Sequence, residues 1–140
     1  MFAQSADTRS NRLSYEVTFV GAGLRYERML GPKFSLSGIA YSAMLPFYAD
    51  WGIDIVARYY PWGKTFFLGG GLGAHAIAIV SYGYAGIAIT PELGWKIDIG
   101  KPGYWFIEPY AKMPLTISFI KELGFYPDIP LVFFGIGYSF

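Results

Sequence analysis

Apolar and polar residues alternate along most of this chain. From Ala85 to Ile99 every odd-numbered residue is apolar, whereas the even-numbered residues between them are small or polar. The segments 51–59, 105–117 and 132–140 show the same period of two. This period is typical of a β-strand, whose side chains point alternately to two faces. The chain is therefore predicted to be all-β, with one apolar and one polar or small face on each strand.

Turn-forming residues separate these segments. Tight turns rich in glycine and proline are predicted at 31–33, 61–64 and 100–103. The segments 46–50, 80–84 and the longer 118–130 are predicted to connect the other strand ends. The strands predicted between these turns are 34–45, 51–60, 66–79, 85–99, 104–117 and 131–140.

The first patterned segment is too long for one ordinary strand. Apolar residues occupy odd positions from Leu13 to Phe19 and even positions from Leu24 to Leu30, so the phase changes at 21–23. A β-bulge in one long strand would change the phase. We favour a hairpin centred on Gly21 and Ala22, because it makes the strand count eight. That hairpin would place Phe19 opposite Leu24, Val17 opposite Tyr26 and Leu13 opposite Leu30.

Composition decides which face of the strands meets solvent. The 140 residues are 20% aromatic and only 15% charged, against about 25% charged in an average globular chain, and the mean hydropathy is +0.34. A membrane-spanning helix needs about 20 consecutive apolar residues, and the chain contains no such run. The polar face is rich in glycine and would cover a soluble protein poorly. We therefore predict an eight-stranded antiparallel up-and-down transmembrane β-barrel whose apolar face meets lipid.

The tryptophans agree with a membrane barrel. Aromatic residues gather at both interfaces of such barrels. Three of the four tryptophans lie near the short predicted turns and one lies near the other end. The predicted interfacial aromatics are Trp51, Trp62, Trp95 and Trp105.

The last strand carries a recognisable pattern. The chain ends in LVFFGIGYSF, with apolar residues at every second position back from a terminal phenylalanine. This resembles the C-terminal signature of bacterial outer-membrane β-barrels, and with the strand pattern it is similar to the small eight-stranded OmpA-transmembrane, OmpX and OmpW types. The resemblance implies that the last strand is read by the barrel-assembly machinery and closes the barrel against the first strand. The signature residues are Phe134, Ile136, Tyr138 and Phe140.

With the apolar face outward, charged residues of both signs point inward. Unpaired buried charges are costly, so pairing is expected. We interpret the interior as a plug that specifies the barrel; the alternative is a narrow polar path for ions or small solutes. The predicted inward residues are Glu16, Arg25, Glu27, Asp54, Arg58, Glu92, Lys96, Asp98, Glu108 and Lys112, with Tyr110 adding a hydroxyl.

Other chemistry is sparsely represented. With no cysteine and a single histidine, His75, no metal site is expected and no cofactor is predicted. Outer-membrane lipid A deacylases carry a serine two residues after their histidine, but Ile77 stands there in this chain. We therefore predict no enzymatic activity. The net charge of +1 argues against a nucleic-acid partner.

Two segments remain outside this pattern. Residues 1–12 are predicted to be disordered and residues 13–140 to form the barrel. The start, MFAQSA, has small residues typical of a signal-peptidase site, consistent with a removed leader or with a plain disordered N-terminus. Segment 118–130 is apolar enough to serve as a lid over the barrel mouth or as a docking surface for another envelope protein or a lipid. Its apolar residues are Phe119, Ile120, Leu123, Phe125 and Tyr126.

The predicted function is a structural or interaction role in the bacterial outer membrane. The expected partners are membrane lipid, the assembly machinery and, through segment 118–130, another envelope protein. One alternative is a conduit or carrier for small hydrophobic molecules, as in the OmpW type. A soluble lipocalin-like binder ranks third, and a lipid-modifying enzyme last.

Overall fold

The chain folds almost entirely into β-strands. The computed structural model describes residues 10–63, 65–80, 82–100, 104–118, 124–127 and 130–140. Within these ranges no helix is long and apolar enough to cross a membrane. The strands are β1 Asn11–Thr18, β2 Gly21–Met29, β3 Phe34–Leu45, β4 Tyr48–Tyr59, β5 Phe66–Ile79, β6 Tyr82–Trp95, β7 Ile97–Ile99, β8 Trp105–Lys112, β9 Leu115–Ser118, β10 Gly124–Pro127 and β11 Leu131–Ser139.

These segments form one closed barrel with eight strand positions, and we call each position a wall, whether one strand or two consecutive strands occupy it. β6 pairs with β8 and then with β9, and β7 pairs with β8, so β6–β7 is one wall and β8–β9 is its neighbour. β10 pairs with β9, and β11 pairs with β8, so β10 and β11 follow one another along the next wall. Every pairing is antiparallel, and β11 closes the ring against β1. The predicted eight-stranded up-and-down barrel, and its closure between last and first strand, are confirmed.

The register gives the barrel its tilt. A path through directly paired residues leaves β8 at Ile107 and returns to the same wall at Ile117, ten residues further on. A shear of ten on eight strands corresponds to a strand tilt of roughly 40°. The path runs Ile107, Ile136, Tyr15, Leu24, Ala40, Ile53, Ala74, Ile87 and Ile117.

The two faces of the wall are chemically opposite. In β11 buried and exposed residues alternate along the whole strand, and the exposed ones include Val132, Phe134 and Ile136. The same holds in β3 and β4, where Ser37 and Asp54 are buried while Leu36 and Ile53 are exposed. The predicted outward orientation of the aliphatic face is confirmed. A soluble lipocalin-like barrel would have the reverse arrangement.

Interior aromatic rings occupy the space left by glycines on neighbouring walls. A Cβ atom on Gly52 would lie 2.4 Å from a ring carbon of Tyr41, which is paired with it on β3. A Cβ on Gly137 would lie 2.3 Å from the ring of Phe106. The glycines of the polar face therefore make room for large interior side chains, which is why the face appears weakly polar in the sequence.

The barrel has two distinct ends. At one end the two chain termini meet, where Asn11 and Phe140 exchange backbone hydrogen bonds of 3.2 and 2.9 Å. We call this the terminal end; residues 30–33, 60–63, 65, 100 and 104 also lie there. The opposite end, the loop end, holds the turns at 19–20 and 46–47 and residue 80.

The predicted hairpin between β1 and β2 exists, but its register was wrong. Val17 pairs with Ala22 rather than Tyr26, and the turn is at Phe19 and Val20 instead of Gly21 and Ala22. The reason is that Gly21 permits close approach to β3: a Cβ there would lie 1.9 Å from the carbonyl oxygen of Ser42. Leu24 therefore lies opposite Tyr15, and Leu13 lies opposite Tyr26.

Several strand ends also differ from the prediction. β1 begins at Asn11, two residues early, whereas residues 1–9 lie outside the described part. β4 begins at Tyr48 and β6 at Tyr82, so the turns before them are shorter than predicted. The segment predicted as a loop at 118–130 contains β10. Its residues 119–123, including Phe119, Ile120 and Leu123, lie outside the described residues.

Candidate functional site in the barrel interior

The most extensive polar structure in the barrel centres on Arg25, which projects inward from β2. Its guanidinium donates from Nε to Glu16 Oε1 at 2.8 Å and from Nη1 to Ser37 Oγ at 2.8 Å. Nη2 donates to Glu92 Oε2 at 2.9 Å and to the Tyr110 hydroxyl at 3.0 Å. Glu92 and Tyr110 lie on β6 and β8, so this one side chain crosses the barrel and links opposite walls.

Arg58 on β4 extends the same network. Its Nε lies 2.5 Å from Glu92 Oε1, and its Nη1 lies 2.7 Å from Glu108 Oε1 and 3.7 Å from Glu27 Oε2. Glu92 is thus shared by Arg25 and Arg58. The fork of donors on a guanidinium suits such bridging, because each nitrogen can engage a different acceptor.

The network ends near the terminal end of the barrel. Arg12 Nη1 lies 3.1 Å from Glu27 Oε2 and donates to the Tyr60 hydroxyl at 3.2 Å. Tyr60 in turn donates to Glu27 Oε1 at 2.7 Å, and Ser35 also donates to that oxygen. We refer to Arg12, Arg25 and Arg58 with Glu16, Glu27, Glu92 and Glu108 as the arginine network.

A second polar group lies nearer the loop end. The Tyr41 hydroxyl donates to Asp50 Oδ2 at 2.9 Å and lies 3.0 Å from His75 Nδ1. His75 Nε2 lies 2.8 Å from Asp54 Oδ1, and Lys112 donates to the other oxygen of Asp54. All five side chains are buried. We call Tyr41, Asp50, Asp54, His75 and Lys112 the histidine cluster.

Phe133 on β11 lies between the arginine network and the histidine cluster. Its ring stacks on Tyr110, with centroids 5.1 Å apart and planes at 8°. The same ring meets Tyr41 edge-on, at 5.6 Å and 80°. Buried Ile39 and Leu131 belong to the same apolar cluster. Apolar side chains therefore separate part of the arginine network from the histidine cluster, while Glu92 and Lys112 are paired residues on β6 and β8.

A third ion pair lies at the terminal rim. Lys96 Nζ lies 3.0 Å from Asp98 Oδ1, and the Lys96 side chain is buried. Asp98 pairs with buried Phe106, so it lies on the predicted inner face, but its position at the rim leaves its side chain 42% exposed. β7 ends at the neighbouring Ile99, so the wall offers Asp98 no enclosed interior to enter.

Ten of the eleven predicted interior residues are buried, and the exception is Asp98 at the rim. Eight of the ten belong to the arginine network or the histidine cluster, Tyr110 accepts a hydrogen bond from Arg25, and Lys96 lies at the rim. Arg12 was missed because it follows a polar run that reads as a mobile terminus. Asp50 was missed because it falls in a predicted turn. Its spacing of two residues from Gly52 and of four from Asp54, which places all three on one strand face, was a usable signal. His75 was interpreted only as a wall residue.

The charges of this interior nearly cancel. Its buried cations are Arg12, Arg25, Arg58, Lys96 and Lys112, and its buried anions are Glu16, Glu27, Asp50, Asp54, Glu92 and Glu108, with His75 beside two of the anions. Among the described residues, no three acidic or histidine side chains form a group able to hold a metal ion. Chemically, the arrangement binds strands together through paired charges.

The outward-facing predicted residues lie on the surface of the barrel. Trp62, Trp95 and Trp105 are exposed near the terminal end, and Trp62 and Trp95 each pack against Phe66, at 5.3 and 5.4 Å between ring centroids. Trp51 is exposed on β4, nearer the loop end. The signature residues Phe134, Ile136, Tyr138 and Phe140 are exposed along the last strand and its end.

Comparison with known proteins bears on the fold of the chain. No family model matches the chain, and no curated protein matches it. Among solved structures, it is similar to the crystal structure of the N-terminal β-barrel domain of Pseudomonas aeruginosa OprF. The TM-score is 0.69 at 12% sequence identity, over 94% of this chain and 96% of the other. The chain has the fold of that barrel. At this identity the likeness concerns the fold alone.

Proposed function

We propose that this chain is an integral barrel of a bacterial outer membrane whose interior is a plug, and that it has a structural or interaction role in the envelope. The observation that carries the proposal is the inverted distribution of side chains. Isoleucine, leucine and aromatic residues cover the outside, while the arginine network and the histidine cluster fill the inside. Water solvates such an exterior poorly, and a lipid bilayer solvates it well.

The filled interior supports the interpretation of the barrel as plugged rather than as an open pore. Arg25 and Arg58 cross the lumen and are held by carboxylates from several walls. The apolar cluster around Phe133 adds a second obstruction, because a charge is costly to place among apolar side chains. We therefore expect no measurable passage of ions or sugars.

Two measurements test the proposal. The protein should require detergent for extraction, and the folded barrel should migrate faster on a gel before boiling than after. In liposome swelling and planar-bilayer conductance assays, the native chain should behave like empty vesicles. A variant with Arg25→Ala and Arg58→Ala serves as the matched control, since it should conduct if the guanidinium groups close the lumen. Conductance by the native chain would refute the plug.

A conduit or carrier for small hydrophobic molecules is the second candidate. It is favoured by the short β1–β2 hairpin, because β1 has 8 residues whereas β5 and β6 have 14 each. The barrel wall is therefore lower on one side. Uptake of a fluorescent fatty acid into vesicles, with and without the protein, would detect such transport.

The proposed partners are membrane lipid, the barrel-assembly machinery and another envelope protein. The terminal strand β11 supports the second, since its exposed side chains alternate up to Phe140. Segment 118–130 is the proposed docking surface for an envelope protein. Capture of envelope components by the detergent-solubilised chain should fall when Leu123 and Phe125 are both changed to alanine. Unchanged capture would remove this docking role.

A further inference from the structure

The wall of the barrel is uneven in height. All strands begin near the same level at the terminal end, but β1 has 8 residues and β2 has 9, against 14 in β5 and in β6. At a tilt of roughly 40°, each residue rises about 2.5 Å along the barrel axis. β1 therefore spans roughly 20 Å, and β5 reaches roughly 15 Å higher. The apolar band of a membrane barrel is about 25 Å tall.

The register shows that β11 and β3 each extend two residues past their pairing with the β1–β2 hairpin. Pairing of β1 ends at Thr18, which lies opposite Phe133, while β11 continues to Leu131. Pairing of β2 with β3 ends at Gly21 and Ala43, while β3 continues to Leu45. The β1–β2 turn is thus the floor of a notch whose sides are the ends of β3 and β11.

The notch is lined by apolar groups. Phe19, at the turn, is 94% exposed, and Met44 beside it on β3 is 60% exposed. Val20 packs against the interior apolar cluster that includes Leu131 and Phe133. The Val20 carbonyl accepts a hydrogen bond from the Met44 amide at 2.7 Å, so it can lie in hydrocarbon without an unpaired acceptor. The turn and its flanks at 17–23 and 42–47 contain no charged residue.

We propose that this notch binds a lipid acyl chain, which enters from the surrounding leaflet and lies over Phe19 and Val20 between the ends of β3 and β11. The inference rests on the proposed membrane location and adds a specific lipid site to it. A flexible chain fits better than a folded partner, because the notch is bounded on each side by only two residues, which span roughly 5 Å along the barrel axis. The notch is also continuous with the apolar outer wall through Met44 and Trp51.

The cysteine-free chain allows a direct test by site-directed spin labelling. Single variants Phe19→Cys, Ile53→Cys, Phe47→Cys and Lys33→Cys are labelled with a nitroxide and folded into dioleoylphosphatidylcholine vesicles. Collision rates with oxygen, which partitions into hydrocarbon, and with a water-soluble nickel chelate then report depth. Ile53 is the mid-wall reference, Lys33 is the water reference, and Phe47 is in the higher β3–β4 turn. All four wild-type side chains are exposed, so the substitutions are tolerable.

The expected oxygen-to-nickel ratio for F19C equals that for I53C and exceeds that for K33C severalfold, with F47C between them. If F19C behaves like K33C while I53C remains in lipid, the notch is aqueous and the lipid site is refuted, although the membrane barrel stands. If the F19C label is shielded from both reagents, a protein segment occupies the notch, which also refutes the lipid site. If I53C itself behaves like K33C, the proposed membrane location fails.

Discussion

The arginine network and the histidine cluster are built on different principles. The arginine network draws residues from β1, β2, β4, β6 and β8, and its two central guanidinium groups share Glu92. The histidine cluster draws on β3, β4, β5 and β8, and each of its contacts joins one donor to one carboxylate or ring nitrogen. In the first, Arg25 and Arg58 each reach carboxylates on several walls. In the second, Tyr41 and His75 join β3, β4 and β5, and Lys112 reaches Asp54 from β8.

This difference indicates which substitutions should reduce the stability of the barrel most. Removing one partner of a buried ion pair leaves the other charge uncompensated, which is the costly event. An arginine that serves several carboxylates can leave one of them without a guanidinium when it is lost, as the loss of Arg58 would leave Glu108. When a donor of the histidine cluster is lost, the carboxylate that it contacted retains another donor. Replacements in the arginine network should therefore be the more damaging.

The strongest test of this comparison is Arg58→Met. Glu92 keeps Arg25, but Glu108 loses its guanidinium at 2.7 Å. We expect the free energy of unfolding to fall by about 3–5 kcal/mol, measured by urea unfolding of the barrel in vesicles. Arg28→Met, at an exposed position on the same barrel, should change it by less than about 0.5 kcal/mol. Equal effects of the two variants would contradict a stabilising network.

Lys112→Met tests the other side of the comparison. Asp54 keeps its contact with His75 at 2.8 Å, so we expect a loss of about 2 kcal/mol, below that of R58M. Adding Asp54→Asn should recover part of the loss, since no carboxylate then remains without its lysine. A K112M effect as large as that of R58M would remove the distinction between the two groups.

Gly94→Ala tests whether the side chains beside the arginine network are closely packed. A Cβ at this position would lie 2.3 Å from the Tyr110 Cβ and 2.5 Å from the Pro109 carbonyl oxygen. We expect a loss of about 1–3 kcal/mol in unfolding free energy. Gly70→Ala is the matched control on the outer face, where a Cβ meets nothing within 4 Å. A harmless G94A would show that Tyr110 can move.

The smallest effect is expected at the rim. Asp98→Asn removes the 3.0 Å partner of Lys96, but the Asp98 side chain is 42% exposed. Exposed ion pairs contribute little, so the change should stay within about 0.5 kcal/mol by the same unfolding assay. A loss above 2 kcal/mol would mean that Asp98 acts as an interior residue, as its alternation in the sequence suggested.

The sequence was sufficient to predict the barrel and its orientation, for a physical reason. A period of two is a local property, and it places Ile53 and Asp54 on opposite faces whatever their neighbours are. The strand count followed from turn residues and from the phase change before Leu24. None of these inferences required knowledge of which strand touches which.

Pairing partners inside the barrel could not be predicted in this way. Arg25 meets Glu92 because the walls are offset by the barrel shear, and no local pattern encodes that offset. The β1–β2 turn was misplaced because Gly21 reads as a turn residue, whereas it serves close packing against Ser42. Arg12 and Asp50 were missed because polar residues at strand ends resemble loops until the end itself is located.

The offset of ten residues around the ring also limits how such a barrel can evolve. At eight strands, a wider or narrower barrel requires a wall to slip along its neighbour, and only slips by an even number of residues keep isoleucines outward and carboxylates inward. The cross-section of the backbone therefore changes in discrete jumps. A lineage that needed a wider eight-stranded barrel could not widen the backbone gradually, whereas smaller interior side chains could empty the lumen without any change of register.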